Sequence, residues 1–375
     1  MPISPVPMKV GLLLSGQKRY SEGVMPLSLT GVGMKSLGVD VLPLAFRCGS
    51  NAMEVLEERF GGMRHFESPQ ALAEVCDREE PDLILTTDTP HRLSLALRLR
   101  VNHKTLIGVF TSAFHGFHAL VRSPPLNPEA PAFSRFELSA EKLIPFAFLT
   151  RRYRDLLKRC DYVVGISKYA TIISRDFYGT KPAGVIYPPV EPNYLQESQG
   201  VLLRSGFLIF VGGRWHGDVS VVFPTVKKLV NLGHSVNLFG DESKLRVVER
   251  EFRGNAVRCH YNVPTDQLLR LYQGSVATLI LPDWEAFGYV GPESILCGTP
   301  VVAECIQPWM ELVESASPLV RMVGDLEQAA DAMVEFVDRK PADPGLRARL
   351  AEILSPDHAA RSWIDILDRQ TGRGW

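Results

Sequence analysis

The sequence predicts two consecutive α/β domains, each a parallel sheet covered by helices on both faces. Short apolar runs alternate with longer helical stretches along the chain. The apolar runs lack the one-in-two alternation of a half-exposed sheet, which favours strands buried on both faces. The alternation stops once, near residue 190, and then starts again. Because 375 residues are ample for two cores, we expect two doubly wound, Rossmann-like domains.

The first domain is assigned to residues 1–190. Its predicted strands are Lys9–Ser15, Val39–Ala45, Leu83–Thr87, Thr105–Phe110, Tyr162–Gly165 and Gly184–Tyr187. The helical stretches between them are Tyr20–Leu37, Pro90–Val101, Glu141–Arg159 and Lys168–Phe177. Gly31 and Gly33 resemble part of a dinucleotide-binding fingerprint. They lie inside a helical stretch rather than directly after a strand, so we discard that interpretation.

Residues 191–205 have the composition of a linker, and residues 206–355 are assigned to the second domain. Its predicted strands are Phe207–Val211, Val236–Phe239, Ala256–Cys259, Val276–Leu281, Thr299–Ala303 and Leu319–Met322. No strand follows the last helical stretch, 356–375, which we expect to cross back and pack on the first domain. Since ligands of open α/β sheets bind beyond the carboxyl ends of the strands, we expect a site in a cleft that the two domains face.

Composition narrows the functional class. A formal net charge of −1 gives no global attraction to nucleic acid, so no nucleic-acid partner is predicted. The six cysteines show no CxxC pair and no metal-ligand spacing, which favours reduced thiols and no bound metal. The sequence shows no secretory signal and no apolar run of the ~20 residues that a spanning helix needs. We therefore expect a cytoplasmic protein, with peripheral attachment to the inner face of a membrane left open.

The segment from Leu281 to Ala303 carries the chemistry of this sequence. It predicts a strand end, an acidic loop, a glycine-rich turn, a short helix and a new strand. Glu285 and Glu293 lie on either side of the turn, where Pro292 favours a helix start. Carboxylates accept hydrogen bonds from sugar hydroxyls, and free N–H groups at a helix start bind anions such as a diphosphate. The expected N–H donors belong to Gly288, Tyr289 and Val290.

This segment resembles the E-x7-E signature of the retaining GT-B glycosyltransferases of family 4. The matching positions are Pro282, Glu285, Phe287, Gly288, Glu293, Cys297, Gly298, Pro300, Val301 and Val302. Ala286 stands where the family usually has glycine, and Ser294 where it usually has alanine. Other stretches are similar to the family in the same order, so that the resemblance runs from about residue 8 to 370. They are Lys9–Gly16, Cys160–Lys168, Val185–Val190 and Phe207–Arg214.

The resemblance implies a metal-independent, retaining hexosyltransferase with the GT-B fold. A nucleoside diphosphate sugar would be its co-substrate, with no other cofactor. The acceptor would be a glycan, a lipid-linked molecule or another small molecule, in polysaccharide or glycoconjugate biosynthesis. Glu285 is expected to orient the hexose and Glu293 to bind the ribose, with Phe287 also in the donor site. Gly16 would let the first loop approach the donor closely.

Two further site residues follow predicted strands. Arg214 comes after a strand and two glycines, so we expect it to project into the cleft, where a guanidinium suits a diphosphate. The resemblance implies a histidine near the transferring sugar, for which His115 is the choice and His118 the alternative. Residues 142–159 are apolar first and basic afterwards. They predict either contact with anionic lipid or a core helix with a solvated basic end.

Two other functions stay open. The family usually has a lysine about five residues after the arginine, and here Trp215 to Ser220 contain none. That difference favours a non-catalytic subunit of the same fold that binds a nucleotide sugar. A nucleotide-sugar epimerase on the same fold is the second alternative, because one fold hosts several chemistries.

Overall fold

The structure is a computed structural model, and it describes most of the chain. The described residues are 8–15, 25–100, 105–112, 150–196, 204–212, 219–254, 256–280, 286–303, 308–313, 317–324, 327–339 and 343–371. They form two compact units. Among the described residues, those before 191 and after 352 belong to the first unit, and those from 191 to 352 belong to the second. Each unit contains one parallel sheet with helices around it, so the predicted fold class is confirmed.

The first sheet has the order β3-β2-β1-β4-β5-β6-β7. Its strands are β1 (Lys9–Ser15), β2 (Asp40–Phe46), β3 (Arg64–Phe66), β4 (Leu83–Thr87), β5 (Leu106–Thr111), β6 (Tyr162–Gly165) and β7 (Gly184–Val185). The sequence did not predict β3, because Arg64 and His65 are polar and exposed and only Phe66 is buried.

Helices α1 to α6 belong to the same unit. They are α1 (Met25–Ser36), α2 (Ser50–Phe60), α3 (Pro69–Glu79), α4 (Pro90–Arg98), α5 (150–157) and α6 (Lys168–Asp176). Side chains of β1 alternate between two cores: Leu12 and Leu14 lie in the core with α1 and α2, and Leu13 lies in the core with α3 to α6. A strand with a core on each face needs a continuous apolar run, which is why this strand was predictable.

The second sheet has the order β10-β9-β8-β11-β12-β13. Its strands are β8 (Phe207–Val211), β9 (Val236–Gly240), β10 (Val257–His260), β11 (Thr278–Ile280), β12 (Val301–Ala303) and β13 (Val320–Met322). Its helices are α7 (Pro192–Leu195), α8 (Phe223–Asn231), α9 (Glu242–Glu251), α10 (Thr265–Gly274), α11 (Val290–Leu296), α12 (Ala329–Asp338) and α13 (Pro344–Ile353). Short 3-10 helices lie at Val219–Val222 and Pro308–Leu312.

The last helix, α14 (Pro356–Thr371), packs on α1 in the first unit. A Cβ atom on Gly33 would lie 2.2 Å from the carbonyl oxygen of Pro356, so only glycine permits this approach. Trp363 is fully buried and meets Phe110 of β5 edge-on, with ring centroids 5.3 Å apart. The glycines of α1 therefore serve helix packing: a Cβ on Gly31 would likewise lie 2.1 Å from Leu12.

The described helices are short. The longest, α14, has 16 residues. None of the helices in the described part of the chain combines the length and apolar composition that crossing a bilayer requires.

Candidate functional site

Several predicted site residues lie outside the described residues. Gly16 follows Ser15, the last residue of β1, and Glu285 comes directly before Ala286, where the described chain resumes. Arg214, His115 and its alternative His118 also lie outside. The structure does describe the rest of the predicted donor site, which is Phe287, Gly288, Tyr289, Val290 and Glu293.

The turn between Phe287 and Val290 is anchored by its aromatic side chains. Phe287 is 2% exposed and Tyr289 is 8% exposed. Their rings pack edge-on with centroids 5.6 Å apart. Gly288 between them has φ +84°, a left-handed conformation that side-chain-bearing residues rarely adopt. The aromatic-glycine-aromatic sequence thus fixes the path of the backbone into α11.

Trp309 clamps this turn from the 3-10 helix Pro308–Leu312. Its backbone N–H donates to the carbonyl oxygen of Phe287 at 3.2 Å. Its fully buried indole lies on Gly291, where an added Cβ would come within 2.2 Å of the ring. Sequence reasoning missed Trp309, which follows β12 and is separated from the turn by more than a whole strand. The only sequence signal was the glycine itself, at a position next to a helix start.

Glu293 lies in α11 and is 7% exposed. The phenol of Tyr272, in α10, donates a hydrogen bond to its Oε2 atom at 3.1 Å. Burial, and then the neighbouring Glu293, raise the pKa of Tyr272 well above its ordinary value, so the phenol keeps its proton. Burying a carboxylate costs free energy unless hydrogen-bond donors or cations compensate its charge. The burial of Glu293 therefore requires an explanation.

Ser294 ties α11 to the neighbouring strands. Its hydroxyl donates to the Oγ1 atom of Thr278 in β11 at 2.8 Å and lies 3.0 Å from the carbonyl oxygen of Thr299. The hydroxyl of Thr299 in turn donates to the carbonyl oxygen of Tyr272 at 2.6 Å. Serine in place of the alanine usual in the resembling family therefore adds a polar link beneath the helix.

Cys297, at the end of α11, is 4% exposed. Burial raises the pKa of its thiol, and the charge of Glu293 raises it further. A thiol in this environment stays protonated and is a poor nucleophile. Across the described part of the chain, no three His, Cys, Asp or Glu side chains gather as a metal site would need.

A second polar cluster lies at the carboxyl edge of the first sheet, around Asp88. This carboxylate, 5% exposed, accepts hydrogen bonds from the Thr111 hydroxyl (2.9 Å) and the Tyr153 phenol (2.7 Å). The backbone N–H of Ser112 also donates to it at 2.7 Å. The buried guanidinium of Arg92 donates to the carbonyl oxygen of Ser15 at 2.8 Å and to the Thr87 hydroxyl. The ends of β1, β4 and β5 are therefore held by buried charged groups.

Sequence reasoning also missed this cluster. Two residues of this cluster lie just before predicted site residues. Ser15 comes directly before Gly16, and Ser112 lies three residues before His115. The signal in the sequence was an acidic residue directly after a buried strand, as Asp88 is after β4. Nothing in the sequence places Tyr153 beside it.

Helix α5 includes the described part of the predicted basic stretch 142–159. Tyr153 and Leu157 lie in the core, whereas Arg151, Arg152 and Arg159 are exposed. The exposed side borders a concavity of about 370 Å³, lined by Arg151, Arg152, Asp155, Leu156 and Arg159. Residues 142–149 lie outside the described part. The described turns thus form a core helix with a solvated basic side.

No protein-family model matches the chain, and no curated protein matches it. Solved structures do match over nearly the full length. HepE of Anabaena, crystallised with UDP-glucose, has 17% identity and a TM-score of 0.68, with 98% of this chain and 100% of that chain covered. A glycosyltransferase from Rickettsia africae has 14% identity and a TM-score of 0.67, covering 97% of this chain and 98% of its own.

The same fold also carries another activity among the solved structures. The UDP-GlcNAc 2-epimerase from Neisseria meningitidis, bound to UDP-GlcNAc, has 10% identity and a TM-score of 0.57, with 96% of this chain and 100% of that chain covered. At such low identity the likeness shows the fold alone. The chain has the two-domain GT-B fold, as the resemblance implied.

Proposed function

We propose that this chain is a retaining, metal-independent glycosyltransferase of family 4. It moves a hexose from a nucleoside diphosphate sugar to a glycan, a lipid-linked molecule or another small acceptor. The observation that supports this most is the buried carboxylate of Glu293, one turn into the helix that follows a clamped aromatic-glycine turn. Solved structures with the same fold contain UDP and UDP-glucose, which makes a nucleotide sugar the ligand to test first.

Each proposed role follows from the chemistry of the residue. Glu293 accepts hydrogen bonds from the ribose hydroxyls, and Glu285 does the same for the hexose. The N–H groups of Gly288, Tyr289 and Val290 face the diphosphate together with the Arg214 guanidinium, which offers it paired N–H donors. The role assigned to His115 is contact with the transferring sugar, and the role assigned to Gly16 is to permit close approach of the donor.

The bond between the anomeric carbon and the diphosphate oxygen breaks in the proposed reaction. Negative charge grows on the leaving diphosphate, and Arg214 stabilises it more in the transition state than in the ground state. A bond forms between the acceptor oxygen and the anomeric carbon on the same face. The proton of the acceptor hydroxyl leaves with the diphosphate.

Ligand-induced stabilisation tests the first part of the proposal. The melting temperature would be measured with UDP-, GDP- and ADP-sugars, because a ligand at 100 times its Kd stabilises the folded protein by about 2.7 kcal/mol. We expect one nucleotide series to raise the melting temperature and the others to leave it unchanged. A flat response to every nucleotide sugar would refute the proposed function.

Turnover tests the second part. The stabilising donor would be incubated with and without candidate acceptors, and the released nucleoside diphosphate measured. Transfer with retention gives a product whose anomeric proton coupling in NMR matches that of the donor. An inverted anomeric centre would contradict the proposed mechanism while leaving the donor site intact.

The second candidate function is nucleotide-sugar epimerisation, which the likeness to the Neisseria UDP-GlcNAc 2-epimerase favours. In that case UDP-GlcNAc would be converted to a C2 epimer without any acceptor, visible by NMR as a new sugar spin system. A protein that is stabilised by nucleotide sugars and does neither reaction would be a binding subunit. The sequence Trp215–Ser220, without the usual lysine, is the feature that favours this third outcome.

The basic side of α5 gives a prediction about location at the inner face of a membrane. If residues 142–159 contact anionic lipid, the protein sediments with phosphatidylglycerol vesicles at low salt and not with phosphatidylcholine vesicles. Replacing both Arg151 and Arg152 with glutamine should then weaken vesicle binding roughly 30-fold, because each basic residue near the surface contributes about 1 kcal/mol. Equal sedimentation with both lipids would contradict the prediction.

A further inference from the structure

Tyr272 is the residue that faces Glu293 from the neighbouring helix. It is fully buried near the end of α10, and its phenol donates to Glu293 at 3.1 Å. Tyr272 is outside every motif that the sequence offered for the donor site. A polar contact to a candidate ligand-binding carboxylate, from a side chain with no exposure of its own, raises the question of what the phenol does.

The Tyr272 side chain is held on several sides. Its ring meets the ring of Phe239 nearly perpendicularly, at a centroid distance of 6.0 Å, and the ring of Tyr194 at 6.1 Å. Its carbonyl oxygen accepts the hydrogen bond from Thr299. Because the ring is fully buried between two other rings and the backbone is hydrogen-bonded, the phenol oxygen gives the carboxylate a defined partner.

A hydrogen-bond donor with a defined position, such as the Tyr272 phenol, has most effect on an acceptor whose side chain can rotate, such as Glu293. A glutamate side chain has three rotatable bonds, and ordering it on ligand binding costs affinity. A hydrogen bond that already selects one orientation of the Glu293 carboxylate removes much of that cost before the ligand arrives. The alternative is that the phenol only satisfies a buried charge and so contributes to stability alone.

We propose that Tyr272 is a positioning residue, which orients the Glu293 carboxylate towards the vicinal hydroxyls of the nucleotide ribose. This inference rests on the proposed function and extends its donor site to a residue in α10. The two roles of Tyr272 make different predictions. Positioning affects only ligands that carry the ribose hydroxyls, whereas a purely structural role affects every nucleotide equally.

The test uses Tyr272→Phe, which removes the hydroxyl and keeps the ring. The affinities of UDP, GDP and ADP, and of their 2′,3′-dideoxy analogues, would be measured by calorimetry for wild type and variant. We expect the variant to bind the preferred diphosphate about tenfold more weakly, the size of one hydrogen bond to a charged group. It should bind the dideoxy analogue as the wild type does. Glu293→Ala serves as the second variant because it removes the carboxylate that Tyr272 would position, and adding Tyr272→Phe to it should cause no further loss of affinity.

A matched control is Tyr261→Phe. Tyr261 also donates from its phenol to a glutamate, Glu249, at 2.8 Å, but that pair is exposed. We expect this variant to bind all nucleotides as the wild type does. Equal weakening of the diphosphate and its dideoxy analogue by Tyr272→Phe, or no weakening at all, would overturn the inference alone. A wild-type protein that binds none of the nucleotides would overturn both the proposed function and this inference.

Discussion

At the carboxyl edge of the first sheet, the buried Asp88 and Arg92 hold the ends of three strands directly through their charged groups. Beyond the carboxyl end of β11 in the second sheet, the turn into α11 is instead held by the rings of Phe287, Tyr289 and Trp309. Both regions contain a buried carboxylate, 5% exposed in Asp88 and 7% exposed in Glu293. Their surroundings differ in what keeps the backbone in place.

This difference separates two uses of a buried charge. Asp88 is bonded to the backbone N–H of Ser112 and to hydroxyls on β5 and α5, so its charge shapes the fold. The turn before Glu293 is shaped by apolar packing, so the charge of Glu293 is not needed to form it. A carboxylate that the fold does not need for its shape is the better candidate for a ligand.

Asp88→Ala should have the largest effect on stability. Removing the carboxylate leaves several buried donors without their acceptor and Arg92 without its nearby opposite charge, at a cost of about 3–5 kcal/mol. Urea unfolding measures the loss. The matched control is Asp176→Ala, which breaks an exposed ion pair with Arg175 and should leave stability nearly unchanged. If Asp88→Ala lowered the free energy of unfolding no more than Asp176→Ala does, the Asp88 carboxylate would not be stabilising the strand ends.

Glu293→Gln should lower nucleotide affinity while leaving stability nearly unchanged. We expect the free energy of unfolding to stay within about 1 kcal/mol of the wild type, because the amide keeps the shape of the side chain and can still accept from Tyr272. The affinity for the preferred nucleoside diphosphate should fall by about 1.5–3 kcal/mol, the range for hydrogen bonds to a charged group. Calorimetry and urea unfolding give the two numbers. A loss of stability like that of Asp88→Ala, with unchanged affinity, would erase the distinction between the two regions.

Gly291→Ala tests the aromatic clamp. The new methyl group would overlap the Trp309 indole, and relieving that overlap should cost about 1–3 kcal/mol. Gly274→Ala is the control, because this glycine ends α10 and has open space around it. The control should be neutral or slightly stabilising, since alanine favours a helix. The melting temperatures of the two variants are compared. Equal melting temperatures would contradict the close contact between Trp309 and Gly291.

Ser294→Ala should have the smallest effect. It removes the hydrogen bond to Thr278 and restores the residue that is usual in the resembling family, at a cost of about 1 kcal/mol. Nucleotide affinity should not change, because the hydroxyl links α11 to the sheet rather than to the turn. A drop in affinity would mean that the polar link under α11 also sets the position of Glu293.

The central strands β1, β5 and β8 were predictable because each is an almost completely buried apolar run. The edge strands β10 and β13 were also predicted, although each contains an exposed arginine, Arg258 and Arg321. Strand β3 was missed, since Arg64 and His65 give it no such run, and the predicted β7 is two residues longer than Gly184–Val185. Helix α4 ends at Arg98 rather than Val101, because the backbone N–H of Leu99 already closes the last turn on Ala96 and Leu95. Such end effects depend on local hydrogen bonding rather than on hydrophobic pattern.

In the candidate site, the turn at residues 285–293 could be predicted from the sequence, but the residues that contact it from other elements could not. The glycines and glutamates of residues 285–293 form one local motif, which a reader of the sequence can recognise. Tyr272 and Trp309 approach that motif from other elements, and the Asp88–Tyr153 contact joins residues 65 apart in the chain. Contacts of this kind follow from how helices pack on the sheets, which local patterns do not encode.

The return of α14 to the first unit has a consequence for how this chain is made. Five buried residues of α14 complete a core whose other buried members lie before residue 187; they are Ala359, Ala360, Trp363, Ile366 and Leu367. While the chain emerges from a ribosome, that core stays unfinished until the last helix has been synthesised, although residues 191–352 are already complete. We therefore expect the second unit to acquire protease resistance first during translation. A chain that stops at residue 352 should keep that unit folded and expose the apolar face of α1 to chaperones.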